Sequence, residues 1–328
     1  VTAKPIQFTK DDVRHALLGV IPAFILVALG HVKVGGAFAI GLLPSSLMGI
    51  APTRKLRLIY GAVGCLFGAG VLVGSAIINL RSVALAALLL FAASYAATMI
   101  ASTRPAGGLL LSIVVPSIAV GTGYAVHEAL GLMVAFIAGS IWSAFVSMAW
   151  REFPPDPHVR ARLQALQPSN PHIYGVLLGL AAATAIVVGH AFDIPYAGWI
   201  ATAAMLVMRP LDEMTGLRGV GRAGSTIIGT LLVVATIELG LGHLATAFAV
   251  AIITIITIGA RTSRWYVTSF GTAFLILTIE MYGITNSATI HDIGVWRIMN
   301  NVIGAAIALF YGLLVPQLLA RRQRNRVA

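Results

Sequence analysis

Residues 83–101 read VALAALLLFAASYAATMIA, an uncharged stretch bounded by Arg81 on one side and Arg104 on the other. A bilayer span needs about 20 predominantly apolar residues. The stretch therefore reads as a membrane helix with cations at its ends. Eleven further runs of the same kind lie at roughly 15–31, 34–51, 58–79, 107–125, 129–150, 173–191, 196–209, 220–239, 243–260, 266–283 and 296–320. Pro22, Pro44 and Pro116 fall inside such runs, so some helices are expected to be broken or tilted. Composition points the same way. The chain is 58% hydrophobic and 10% charged, against about 45–50% and about 25% for a soluble domain. That excludes an ordinary soluble enzyme, a disordered chain and a fibrous one.

The 22 Lys and Arg outnumber 11 Asp and Glu, giving a formal charge of +11. Their placement decides what this means. With the N-terminus inside, nineteen of the 22 fall in inner segments, and only Lys33, Arg81 and Arg297 fall outside. The inner groups are Lys4, Lys10 and Arg14; Arg54, Lys55 and Arg57; Arg104; Arg151, Arg160 and Arg162; Arg209, Arg218 and Arg222; Arg261 and Arg264; and Arg321, Arg322, Arg324 and Arg326. This is the asymmetry of the positive-inside rule, and one helix more or fewer would scramble the later loops. The expectation is a multi-pass protein with both termini cytoplasmic, its cations fixing topology rather than binding nucleic acid. The first apolar run lacks a small-residue cleavage site and does not read as a signal peptide; because the chain starts at Val1, a native start further upstream stays open.

The longest internal connection, 151–172, carries Pro154, Pro155, Pro157, Pro168 and Pro171. It separates a first six-helix half, 1–150, from a second, 173–328, which ends in a basic tail. The halves share an order of features. Gly30-His31 and Gly189-His190 end each first helix, and Pro52 and Pro210 follow each second helix. Small residues at four-residue spacing mark each third helix (Gly64, Gly68; Gly221, Ser225, Gly229) and each sixth (Ala135, Gly139, Ser143; Gly304, Ala308, Gly312). Such stripes let helix backbones approach closely. The expected fold is an all-α polytopic membrane protein of about twelve transmembrane helices, arranged as two parallel six-helix repeats.

No P-loop and no His-Glu-x-x-His pattern occurs, so neither an ATP-driven pump nor a metalloenzyme is expected, and no cofactor or metal is called for. Cys65 is the one cysteine, which forbids an internal disulfide. The histidines are scattered, with His31, His190 and His243 near span ends. Charges near membrane depth are costly and point to function. On the outer side these are Glu238, Glu280 and Arg297, with Glu128 and Asp193 nearer the loops. Glu238 and Glu280 are candidates for proton coupling or for pairing with Arg297; a solvated helix end is the other reading. Arg209 and Arg222 are candidates for an electropositive inner vestibule, or plain topology anchors. Arg297 could hold a substrate carboxylate through two parallel hydrogen bonds, or neutralise a protein carboxylate at the interface.

Four stretches of the second half resemble the fusaric acid resistance and aromatic acid exporter superfamily, a group that includes plant aluminium-activated malate channels. They are Gly198-Trp199-Ile200-Ala201-Thr202 running to Arg209-Pro210; Gly221-Arg222 with Ile227-Ile228-Gly229-Thr230; Arg264-Trp265-Tyr266 with Thr278; and Trp296-Arg297 with Asn301 to Ala308. The first half matches less well: Leu132 stands near where Arg297 would fall, and its second helix lacks the Trp. The resemblance implies a bacterial inner-membrane protein that moves small organic anions, often aromatic carboxylates, outward. Its path would lie between the halves, with Arg297, Arg209, Arg222 and Trp199 contacting substrate. Proton coupling through Glu280 or Glu238 is expected because efflux against a gradient needs a driving force. A passive anion channel, a major-facilitator-type transporter (through the loop Asp212 to Arg222) and a membrane scaffold are the alternatives. The expected partners are the anion and the bilayer, not nucleic acid; monomer and homodimer stay open.

Overall fold

The computed structural model describes residues 7–47, 49–79, 82–103, 108, 110–154, 170–208, 212–261, 265–318 and 321. Every element among them is helical, and a helix occupies each of the twelve expected runs. The first six are α1 (Lys10–Ala28), α2 (Val32–Ser46), α3 (Arg54–Asn79), α4 (Val83–Thr103), α5 (Val115–Gly121, entered through a π-helical turn at Leu110–Val114) and α6 (Val126–Ser147). The second six are α7 (Pro171–Ala191), α8 (Ala197–Val207), α9 (Asp212–Glu238), α10 (His243–Gly259), α11 (Trp265–Met281) and α12 (Ser287–Leu309, left through a π-helical turn at Phe310–Leu314). Pro22 and Pro44 sit inside α1 and α2, and Pro116 lies at the start of α5 just after its π-helical turn.

Among the described residues, six stretches are long and apolar enough to cross a membrane: α3, α4, α6, α7, the Gly219–Glu238 part of α9, and Ser287–Leu318. The outward faces are apolar too. Leu88, Phe145, Ile141, Leu231 and Val295 are all exposed, a pattern that suits lipid and not water. Helix, apolar run and apolar outer surface together describe a multi-pass membrane protein.

Two boundaries differ from expectation. α12 begins at Ser287, not near 296, so Arg297 lies inside a helix rather than at its start. α9 begins at Asp212, so the stretch 212–222 is helical and not a loop. The cause is common to both. An apolar run ends where the membrane ends, but a helix continues past that plane until something breaks it. Neither segment contains a proline to stop it.

The chain forms two compact units, each drawn from three segments. Unit one comprises 1–69, 127–155 and 224–298; unit two comprises 70–126, 156–223 and 299–328. In unit one, α1 packs on α2 and α10, and α2 also packs on α11. In unit two, α7 packs on α8 and α4, and α8 also packs on the α5 region. The two internal plans correspond. Each joins the first and second helices of one half to the fourth and fifth helices of the other.

The small-residue stripes are the means of close approach. In unit one a Cβ at Gly64 would meet the Ser140 Cβ at 2.7 Å, and one at Gly68 would lie 3.0 Å from the Met133 carbonyl, so this face of α3 lies on α6. Gly229 faces α11, with Ala273 Cβ at 3.1 Å and the Phe270 carbonyl at 3.2 Å from such an atom. In unit two Gly304 faces α8: a Cβ there would lie 2.7 Å from the Ala203 Cβ and 3.0 Å from the Ala204 nitrogen.

Loops expected on one side of the membrane are gathered at one end of unit one. The Phe153 N–H bonds the Pro52 carbonyl, the Arg54 N–H bonds Glu152, Trp150 Nε1 donates to Asp11, and Arg261 pairs with Asp12. Loops expected on the other side also meet one another: the Tyr282 hydroxyl lies 2.6 Å from His243 Nδ1, and Glu238 bonds Ser287 and His291.

Candidate functional site

The second helix of each half is both short and enclosed. α2 has 15 residues, with every side chain from Gly35 to Ser46 buried. α8 has 11 residues, nine of them buried. At 1.5 Å per residue these reach about 22 Å and about 16 Å, short of the roughly 30 Å hydrocarbon layer. A short apolar helix at corresponding positions of two halves is the best sequence-level pointer to a transporter's binding region.

In unit two, α8 opens on an aromatic stack. Tyr196 adopts a left-handed conformation at φ 59° and caps the helix. Its ring lies on that of Trp199, with centroids 4.6 Å apart and planes 12° from parallel. The turn is pinned from α12, where Asn300 Nδ2 donates to the Pro195 carbonyl at 2.8 Å and the Tyr196 carbonyl at 3.4 Å. Asn300 is fully buried and Trp199 is 1% exposed. Trp199 therefore backs the stack, and Tyr196 is partly exposed. Thr202 bonds back to the Gly198 carbonyl and across to that of Pro116. Sequence reasoning found Trp199 but not Tyr196 or Asn300; an Asp-Ile-Pro-Tyr turn before an apolar helix was the available signal.

The other expected site residues divide between the units. Arg297, Glu280 and Glu238 belong to unit one, and Arg222 to unit two. Arg297 is buried, at 3% exposure, and Glu280 is partly buried near the end of α11. Glu238 is the last residue of α9 and is exposed; it accepts from Ser287 at 3.1 Å and pairs with His291 at 2.7 Å. Arg222 is partly buried on α9. Arg209 lies outside the described residues, as do 155–169 of the connection and 322–328 of the tail.

Unit one also holds a polar cluster that the sequence did not disclose. Arg57, 1% exposed, donates to four carbonyls: Ala51 at 2.7 Å, Ser147 at 2.9 Å, Trp150 at 2.7 Å and Arg151 at 3.0 Å. The last three are carbonyls at and beyond the end of α6, where the helix's own N–H ladder stops; that of Ser147 also accepts the Trp150 N–H at 3.2 Å. Asp12, 3% exposed, accepts from Thr9 and pairs with Arg261 at 2.9 Å. His15, also 3% exposed, places Nε2 3.0 Å from the Ser143 carbonyl. Ser143 in turn meets Ser46, hydroxyl to hydroxyl, at 2.8 Å. Counting charges by loop had assigned Arg57 and Arg261 to topology alone.

Residues 173–311 match the family described as fusaric acid resistance protein-like. The match falls within the second half of the chain, and there the chain is similar to that family. The family segment runs from the start of α7 into the π-helical turn after α12, and it contains Tyr196, Trp199, Arg222, Glu238, Glu280, Arg297 and Asn300. The polar cluster around Arg57 and His15 falls outside it, except for Arg261. No curated protein matches the chain. No solved structure matches it either.

Proposed function

We propose that the protein is a secondary exporter of small organic anions, with aromatic carboxylates as its substrate class. Its twelve helices lie in the membrane as two parallel six-helix repeats, with α2 and α8 too short to cross it alone, in a bacterial inner membrane with both termini cytoplasmic, and it performs no covalent chemistry. The observation that carries this reading is the aromatic stack at the head of a short enclosed helix, inside a segment of a resistance family named for an acid. Resistance conferred by a helical membrane protein is met most directly by moving the acid out. A helix too short to cross leaves at least one end at membrane depth. At its N-terminal end the backbone carries partial positive charge, favourable to a carboxylate. The corresponding plans of the two units support the repeat reading.

Tyr196 supplies the face on which an aromatic ring would lie. Tyr196→Ala should raise the KM for aromatic acids about fivefold, matching about 1 kcal/mol of ring stacking. Tyr196→Phe should leave it unchanged, and a dicarboxylic acid should be indifferent to both. Equal KM values for wild type and Tyr196→Ala in proteoliposomes would remove the ring from the site.

Arg297 is the proposed carboxylate ligand. The planar fork of a guanidinium can hold a carboxylate through two parallel hydrogen bonds, which an ammonium cannot reproduce. Arg297→Lys should reduce flux at least tenfold while leaving the melting temperature near wild type. A large fall in stability that Lys corrects, with flux following the amount of folded protein, would make Arg297 structural.

A further inference from the structure

Asp12, His15 and Arg261 form one cluster of buried and part-buried charged and titratable groups in unit one. Asp12 and His15 are three residues apart on α1, and so share a helix face. The His15 Nε2–H is committed to the Ser143 carbonyl, which leaves Nδ1 as the ring's lone-pair nitrogen. Nδ1 is buried and has no hydrogen-bond partner among the described residues. Beside the ring, His15, Ser45, Gly49, Arg57, Tyr60, Ser143, Ala144 and Ser147 enclose a cavity of about 10 Å³, the size of one water. A solitary buried acceptor next to a water-sized polar cavity is a place for a proton to arrive.

We infer that these three residues form a proton-binding site, in which proton uptake by His15 moves Asp12 from Arg261 to the imidazolium. The proton adds to the Nδ1 lone pair, and the bond formed is N–H. What is given up is the ion pair between Arg261 and Asp12.

Charge and geometry decide which group moves. Asp12, Arg261 and Arg57 are the charged groups that act on His15. The neighbouring faces add Tyr60 from α3, Ser45 after the middle of α2, Ser143 and Ser147 from α6, and the Trp150 ring. Asp11 bonds Trp150, Arg14 is exposed, and Glu152 is held by the Arg54 N–H. A proton on His15 would set three cations against one buried carboxylate. Arg57 is fixed by four carbonyls. The Arg261 side chain is 20% exposed, and so has a way out. Its guanidinium fills the space where a Cβ would stand at Gly49, a residue at φ 81°. When Arg261 leaves, it uncovers the chain between α2 and α3. The site deepens the transport reading by locating its proton coupling, but its titration can be detected without any transport.

The test uses the full protein labelled with 5-fluorotryptophan. The His15 and Trp150 rings meet edge to face at 5.7 Å, so the Trp150 fluorine, identified from Trp150→Phe, reports the charge on His15. The Trp150 resonance should titrate with pH and stay fixed in His15→Gln. That substitution keeps an N–H for Ser143 and removes the titrating nitrogen. If His15→Gln does not fold, Asp12→Asn serves instead and should displace the midpoint by at least half a pH unit. A Trp150 resonance that is constant in wild type, or that titrates alike in wild type and His15→Gln (for Asp12→Asn, an unmoved midpoint), overturns the site. In proteoliposomes, loss of the pH response of flux in His15→Gln supports coupling, and an unchanged response overturns it. A titrating Trp150 in a protein that moves no anion leaves the proton site standing and removes the exporter reading.

Discussion

Arg57→Ala should lower the stability of the purified protein by about 3 kcal/mol, taking at about 1 kcal/mol each the Ala51, Trp150 and Arg151 carbonyls that lose this donor, while the Ser147 carbonyl keeps the Trp150 N–H. The loss falls on the joint where α3 begins and α6 ends. Arg57→Lys should recover less than half of it, because an ammonium has three donors and no planar fork to span Ala51, Ser147, Trp150 and Arg151 together. Thermal unfolding in detergent, followed by size-exclusion chromatography, measures both variants. An Arg57→Ala protein with a midpoint within a degree of wild type would show that these bonds are dispensable.

Gly304→Val should prevent assembly. The first added carbon would lie 2.7 Å from the Ala203 Cβ and 3.0 Å from the Ala204 nitrogen, and against the Ile200 carbonyl. No rotamer relieves contact with backbone, so α12 would have to separate from α8, which exceeds the usual overpacking range of about 1–3 kcal/mol. Gly224→Val on α9 is the matched control, since a Cβ there meets nothing within 4 Å. Membrane yields and monodispersity should be near wild type for Gly224→Val and close to zero for Gly304→Val. Equal yields would mean that the α8–α12 approach is not what Gly304 secures.

The difference between these two glycines shows where sequence reading stops. Gly304, Ala308 and Gly312 were legible as a stripe because four-residue spacing marks one helix face, but the stripe did not say which helix it meets. The twelve runs were legible because the bilayer sets both their length and their polarity. Their ends were less so: α12 starts nine residues earlier than expected and takes in Asp292 before the apolar run begins, which places Arg297 inside the helix. Trp199 was found by resemblance. Tyr196 and Asn300 were not, because their meeting spans more than 100 positions and depends on a left-handed turn. Arg57, Arg261, Asp12 and His15 read as ordinary charges near the first helix and in inner loops. Their burial comes from α1, α3, α6 and the end of α10 closing on one another, which no local pattern encodes. Glu238, singled out in the sequence for its place at an apolar run's end, turns out exposed beside His291 and Ser287.

The claim that most needs testing is concentrative movement of an organic anion. Purified protein in liposomes, loaded with an aromatic carboxylate such as benzoate or a picolinate and placed across a pH gradient at zero membrane potential, measures it directly. The expected result is accumulation of the anion above its electrochemical equilibrium, abolished by dissipating the gradient and reduced at least tenfold in Arg297→Lys. Flux that only relaxes the anion to equilibrium, whatever the pH gradient, would contradict a coupled exporter and leave a passive channel. No flux of any aromatic or dicarboxylic acid through well-folded protein would contradict the transport function itself.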